Sequence, residues 1–202
     1  MRSDLNDHHS LVLVNPPPAT VTDAGQTSTG EACSSKPSRG RHQLDLRRSF
    51  KMATWNVLTL AKVGYREAMT RELSRLNIDV ACLTEARLSD SGKEVVEGYT
   101  FLHSGGTQRH RGVCLVLSPK IRHSLKSWEP ISDRLLTARL THPHGHLTIL
   151  VPYAPTEDAP DVEKDGFYDL LEGAVRNVPP HDQLVVAGDL NAVTGTDRFA
   201  WL

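Results

Sequence analysis

A chain of 202 residues has room for one core of ordinary size plus a tail, since single domains run to about 100–200 residues. Residues 1–51 hold 7 Lys+Arg and 5 Asp+Glu, which leaves 16 basic against 19 acidic side chains in 52–202, a net charge of −3. That balance argues against a protein that grips a polyanion by bulk positive charge, because counterion release rewards a basic excess. Local patches and a divalent cation remain as routes to phosphate.

The longest apolar stretches fall far short of the ~18 residues of a membrane span, and no basic stretch precedes an apolar run near Met1. Neither membrane insertion nor secretion is expected. Cys33, Cys82 and Cys114 are odd in number, far apart and without a CxxC spacing. They point to a reducing, intracellular setting and to no zinc site.

From Asp4 to Ser49 the chain is dominated by Ser, Thr, Pro, Gly and Asp, with breakers at Pro16–Pro18 and around Pro37, and Phe50 is the only aromatic residue of the first 50. Leu11–Val14 is the one apolar run and is too short to make a core, so residues 1–50 are expected to be a disordered tail and 51–202 the folded domain. Lys36, Arg39, Arg41, Arg47, Arg48 and Lys51 make the end of the tail basic. A solvated linker is the plainer account; a nuclear-localisation or nucleic-acid patch is the alternative.

Periodic patterning starts abruptly at Lys51. Lys51–Val57 predicts a strand, and Met69, Leu73 and Leu76 stand at helical spacing within Arg66–Asn77. Val80–Thr84 is a short apolar run closed by Glu85, as in a buried strand whose end leaves the sheet. Gly112–Leu117, Leu135–Leu140 and His146–Tyr153 predict further strands, the last two joined by a turn at His142-Pro-His-Gly-His146. Val162–Asn177 suits an amphipathic helix, and Gln183–Ala187 a strand that runs into Gly188-Asp189-Leu190-Asn191. Interleaved strands and helices make the class α/β.

Four segments put polar side chains where an apolar strand stops: Trp55-Asn56, Thr84-Glu85, Tyr153 within Val151–Thr156, and Asp189-Leu-Asn191. Polar groups at strand ends of an α/β sheet converge on one rim, where sites are commonly built. Singly, each is an ordinary turn or cap, since Asp and Asn terminate many strands. It is their joint occurrence, in this order, that points to a site.

Met52-Ala-Thr-Trp-Asn-Val57, Leu83-Thr-Glu85, Tyr153-Ala-Pro-Thr156 and Gly188-Asp-Leu-Asn-Ala192 resemble the successive motifs of the endonuclease/exonuclease/phosphatase superfamily. The wording is most similar to LINE-type retrotransposon endonuclease domains and to craniofacial development protein 2-like proteins. The resemblance covers residues 51–195 and implies a two-sheet α/β sandwich. It also implies that Glu85 is the main ligand of Mg²⁺ or Mn²⁺, a hard carboxylate for a hard ion, with Asn56 orienting the metal or its water. Asp189 would activate the attacking water, Asn191 would donate to a phosphate oxygen, and Tyr153 would donate to developing charge. DNA is the implied partner.

The superfamily carries a later Ser/Thr-Asp-His type motif, and no Asp-His pair follows Asn191 in these 202 residues. Asp7-His8 lies in the tail, and His181-Asp182 precedes a strand, on the side away from the expected rim. By this resemblance the domain is expected to be incomplete at its C-terminus and its catalysis impaired, since such a group is worth about 10²–10⁴ in rate.

Other candidates are weaker. His142, His144 and His146 alternate on a turn without a neighbouring carboxylate. Cys82 and Cys114 sit in apolar strands as expected core thiols. Gly105-Gly106 followed by Arg109 and Arg111 reads first as a mobile loop before a strand, with the two arginines as candidates for contact with a phosphate backbone. Two other functions remain open: a domesticated, non-catalytic binding protein, and a phosphomonoesterase acting on a phosphoinositide-like substrate.

Overall fold

The structure, a computed structural model, describes residues 9–14, 44, 50–106 and 110–192. In chain order its elements are β1 (His9–Val14), β2 (Phe50–Asn56), α1 (Tyr65–Leu76), β3 (Val80–Thr84), β4 (Gly92–Val96), β5 (Tyr99–Ser104) and β6 (Val113–Leu117). They continue with β7 (Leu125–Ser132), β8 (Leu135–His142), β9 (Gly145–Pro152), α2 (Asp161–Arg176) and β10 (Gln183–Val186).

Two sheets form. The first runs β1-β2-β3-β6-β5-β4 and the second β10-β9-β8-β7. Within them β2 and β3 are parallel, as are β9 and β10, and the other neighbours are antiparallel. This is the expected two-sheet α/β sandwich.

Strand periodicity explains the core. Val80 and Cys82 of β3 face the second sheet, where Met52, Leu115 and Leu117 meet Leu136, Ala138, Leu140, Ile149 and Val151. The alternate residues Ala81 and Leu83 turn to the outer face with Phe101, Cys114 and Val116, and Leu73 of α1 covers them there. A strand buried on both faces reads as an unbroken apolar run, which is why Val80–Thr84 stood out in the sequence. Burial pushes the Cys82 thiol up to about 12 and the Cys114 thiol up as well, so both are inert core groups. Cys33 lies outside the described residues.

The expected strands and both helices appear close to their expected bounds, and β8 and β9 form the expected hairpin. Three strands went unforeseen within the domain. β4, with Lys93 and Val95 exposed, and β7, with Lys126, Ser127, Glu129 and Pro130 exposed, are edge strands of their sheets, where charge and proline are tolerated. β5 is buried throughout, and its Tyr-Thr-Phe-Leu content carried a strand signal.

The structure also departs from the expected disordered tail at two points. His9–Val14 pairs antiparallel with β2, from His9 opposite Trp55 to Val14 opposite Phe50. Leu44 is 1% exposed in the main core, its N–H donating to Ser124 Oγ at 2.7 Å. An apolar run too short for a core of its own can still extend an existing sheet, because edge pairing needs backbone partners rather than a separate core. The remainder of residues 1–49, and 193–202, lie outside the described residues. Among those described, no helix is long and apolar enough to cross a membrane.

Candidate active site

Parallel pairing of β2 with β3 sets Asn56 opposite Thr84, so the next residue, Glu85, leaves the sheet beside Asn56. The Asn56 amide donates from Nδ2 to Glu85 Oε1 at 2.8 Å, while its Oδ1 accepts from the Leu58 N–H at 3.2 Å. Asn56 therefore orients the carboxylate directly, with its own carbonyl oxygen engaged by backbone.

Glu85 has φ 53° and Arg87 φ 55°, left-handed values that are costly for side chains with a Cβ. The bend is held by backbone bonds on all sides. The N–H groups of Val57, Ala86 and Arg87 donate to Thr84 O, Gly112 O and Arg111 O, and that of Leu60 donates to Ala86 O at 2.8 Å. Both long side chains thereby reach the same side, and Arg87 Nη2 donates to Glu85 Oε2 at 2.6 Å.

The second sheet supplies the rest. β9 and β10 run parallel, and beyond them Tyr153 and Asp189 form a parallel bridge. A Cβ on Gly188 would lie 2.0 Å from Pro152 O, so only glycine admits this approach. Across the gap between the sheets, Tyr153 donates its hydroxyl to Glu85 Oε1 at 3.2 Å. Asp189 Oδ1 accepts from the Asn191 N–H at 3.0 Å, and Asn191 Nδ2 donates to Ala154 O at 2.7 Å with its residue at φ 44°. An amide nitrogen carries two hydrogens, so Asn191 keeps one for a ligand.

All five residues singled out in the sequence thus meet at one rim: Asn56 and Tyr153 on Glu85, Tyr153 on Asp189, and Asn191 on Asp189. Burial pushes the Glu85 carboxyl up, but hydrogen bonds from Asn56 and Arg87, the Arg87 charge and the Tyr153 hydroxyl outweigh it and hold the group below its ordinary range. Burial and the Glu85 charge together push the Tyr153 hydroxyl up to about 12. At neutral pH Glu85 is an anion and Tyr153 a donor.

Three residues at the rim were not anticipated. Besides Arg87, Arg134 stacks its guanidinium 5.2 Å from the Tyr153 ring centroid and donates to Tyr153 O and Ala154 O at 3.1 and 3.3 Å. Glu163 at the start of α2 accepts from Arg134 at 2.9 Å and from Arg111 at 2.7 Å. Their available signal was weak: an arginine two residues after Glu85, another opening a strand, and an acid in the first turn of a helix. Arg111, a candidate for contact with a phosphate backbone, is tied to Glu163 and to Asp133 at 3.6 Å. It closes the junction between the sheets, a position that makes intramolecular pairing the nearer partner. Arg109 lies outside the described residues.

His142 is buried, and the His142 to His146 turn lies at the far end of the β8–β9 hairpin from Tyr153. Among the described residues no group of three or more His, Cys, Asp or Glu side chains is placed to hold a metal. The rim nevertheless fits a hard, hydrated cation. A carboxylate has about four acceptor positions, and Glu85 uses two on Oε1 and one on Oε2, which leaves one open. A single open carboxylate position among nitrogen donors suits an ion that keeps most of its water.

Residues 53–202 match the Endonuclease/Exonuclease/phosphatase family. The chain belongs to that family. It is similar to craniofacial development protein 2 of Bos taurus, 27% identical over 149 residues that make up 73% of this chain and 25% of that protein. The chain thus spans about a quarter of the length of that relative. Among solved structures it is similar to the endonuclease domain of TRAS1, a telomere-specific non-LTR retrotransposon, at TM-score 0.53 and 15% identity, covering 72% of this chain and 60% of that one. It is also similar to D. rerio TDP2 complexed with a single-strand DNA product, at TM-score 0.51 and 16% identity, covering 72% and 62%. At these identities the structures share the fold.

Proposed function

We propose that this rim is a divalent-cation-dependent phosphodiester hydrolase site of retrotransposon-endonuclease descent, acting on DNA. The observation that carries the proposal is the junction itself: an ionised, half-buried Glu85 between two sheets, fixed by Asn56 from one and Tyr153 from the other, with Asp189 bridged to Tyr153. DNA as substrate is supported by the solved relatives, one an endonuclease domain and one complexed with a DNA product.

Glu85 would hold Mg²⁺ or Mn²⁺ through its open acceptor position. When bound, such an ion neutralises phosphate charge and lowers the pKa of its water. The protein's own groups do the rest. Asp189 accepts a proton from the attacking water, and Asn191 donates its second Nδ2 hydrogen to a phosphate oxygen. Tyr153, kept protonated at neutral pH, would turn its one hydroxyl hydrogen from Glu85 Oε1 to charge developing on the phosphate. Arg134 and Glu163 hold the Tyr153 backbone and ring in place.

The test is nicking of supercoiled plasmid with Mg²⁺ by wild type, Glu85→Ala and Asp189→Ala. Mg²⁺-dependent nicking that both substitutions reduce to background is expected. Nicking that persists in both variants overturns the site, and an absence of nicking by wild type overturns the hydrolase reading.

A further inference from the structure

Arg87 pairs with Glu85 in an unusual way. Its backbone is left-handed, two residues after a left-handed Glu85, and that bend brings Nη2 to 2.6 Å from Glu85 Oε2. The contact is single. Arg87 Nε is buried without a hydrogen-bond partner, whereas Arg139 engages Asp182 through both Nε and Nη2, at 2.6 and 2.7 Å on the two carboxylate oxygens. An arginine offers a fork of donors, and the two-point pair is the strong, directional one. Arg87 makes the weaker of the two arrangements, is 38% exposed along its side chain, and contacts the oxygen that carries the open acceptor position.

A cation held by one bond to the less engaged oxygen of a half-buried carboxylate is placed where a stronger cation would enter. We propose that Arg87 is a resident counter-cation of the Glu85 carboxylate, displaced from Oε2 when a divalent ion binds, and that it sets the affinity of the rim for that ion. The inference rests on the metal role proposed for Glu85. With the rim empty, Arg87 keeps the carboxylate charged and directed. With an ion present, Arg87 both competes for Oε2 and repels the incoming charge, so its removal tightens binding.

The test is Mn²⁺ binding to the full chain, followed by the EPR signal of free Mn²⁺, for wild type, Arg87→Gln, Arg87→Lys and Glu85→Gln, with circular dichroism confirming the fold of each. Arg87→Gln is expected to bind at least about tenfold more tightly than wild type, since removing one like charge a few ångströms from a divalent ion reaches that scale even at the dielectric of bulk water. Arg87→Lys, which keeps the charge, stays within about threefold. As a measurement that needs no variant, the Arg87 Nε–H resonance of wild type is expected to shift on Mg²⁺ titration while that of Arg139 stays fixed. Equal affinity of Arg87→Gln and wild type, with Glu85→Gln binding abolished, overturns the role of Arg87 and leaves the metal site standing. An unmoved Arg87 resonance during saturation overturns it equally. No binding by wild type, or binding that survives Glu85→Gln, removes the metal role of Glu85 and this inference with it.

Discussion

Glu85 and Asp182 are both carboxylates paired to an arginine, and both are held below the ordinary range. For Asp182 the hydrogen bond from Arg139 is the main cause; for Glu85 burial pushes up and the Asn56, Arg87 and Tyr153 donors prevail. Their surroundings differ. Asp182 is 2% exposed, takes both arms of Arg139 and a third bond from Thr148 at 2.8 Å, and stands just before β10 begins. Glu85 follows the end of a strand, on a left-handed residue, 16% exposed, with a one-armed arginine and an open acceptor position. A depressed carboxylate therefore does not by itself mark a site. Backbone strain, incomplete satisfaction and a strand-end position separate the group proposed to bind a cation from the group that holds the fold.

The sharpest test is a double dissociation. Glu85→Ala is expected to lower metal-dependent nicking by about a thousandfold or to background, with a thermal midpoint close to that of wild type. Asp182→Asn is expected to leave nicking per folded molecule unchanged while lowering stability. A large loss of nicking in Asp182→Asn, corrected for folding, would break the comparison.

Next in size is Gly188→Ala. The added methyl would meet Pro152 O at 2.0 Å, a backbone atom that cannot step aside without parting Tyr153 from Asp189. Overpacking against a fixed neighbour costs about 3 kcal/mol. Urea unfolding is expected to show that loss, and hydrogen exchange to show early opening at the Ala154 N–H, which donates to Asp189 O. A variant as stable as wild type would mean that the two strand ends are not tightly joined.

The Asp182 cluster should show its contribution through pH. Its folded pKa lies below the unfolded value of about 3.9. Its stabilisation is therefore present above that value and is lost as pH falls through the folded pKa. The difference in urea stability between wild type and Asp182→Asn is expected to be about 2 kcal/mol at pH 7, the scale of leaving buried polar partners unmatched. It should shrink steadily once the pH drops below about 4. A difference that stayed constant into acid would show that the charge of Asp182 contributes nothing.

The two regions were not equally legible in the sequence. Glu85 was readable because Val80–Thr84 is an apolar run buried on both faces, and a carboxylate at its end has to leave the sheet. Tyr153 and Asp189 were readable for the same reason, and the parallel pairings that unite them follow from strands alternating with helices. Arg87, Arg134 and Glu163 were not. Their roles depend on a left-handed bend, a stacking distance and the landing point of a helix, none of which leaves a periodic trace. Leu11–Val14 illustrates the opposite limit: its apolar run was visible, but its use as a strand depends on an edge of β2 that local sequence does not announce.

The smallest expected effect is that of Tyr153→Phe, and it bears most directly on how the two sheets cooperate. The hydroxyl is one of three side-chain donors to Glu85, at 3.2 Å the longest of them, so its loss leaves Asn56 and Arg87 in place. The ring stays stacked on Arg134, and stability should change little. Two effects follow with opposite signs. Glu85 loses a donor and its pKa rises toward the ordinary range, yet Oε1 gains a free acceptor position for a cation. Phosphate meanwhile loses a protonated donor, which lowers the rate. The hydroxyl sits on a carboxylate and not in a dedicated oxyanion pocket, so the expected net loss is about tenfold in nicking, below the 10²–10³ typical of such a pocket donor. Mn²⁺ affinity should be unchanged or slightly higher. If nicking falls while Mn²⁺ affinity holds, Tyr153 acts on substrate. If both fall together, its hydroxyl serves chiefly to fix Glu85, and the second sheet contributes position rather than chemistry.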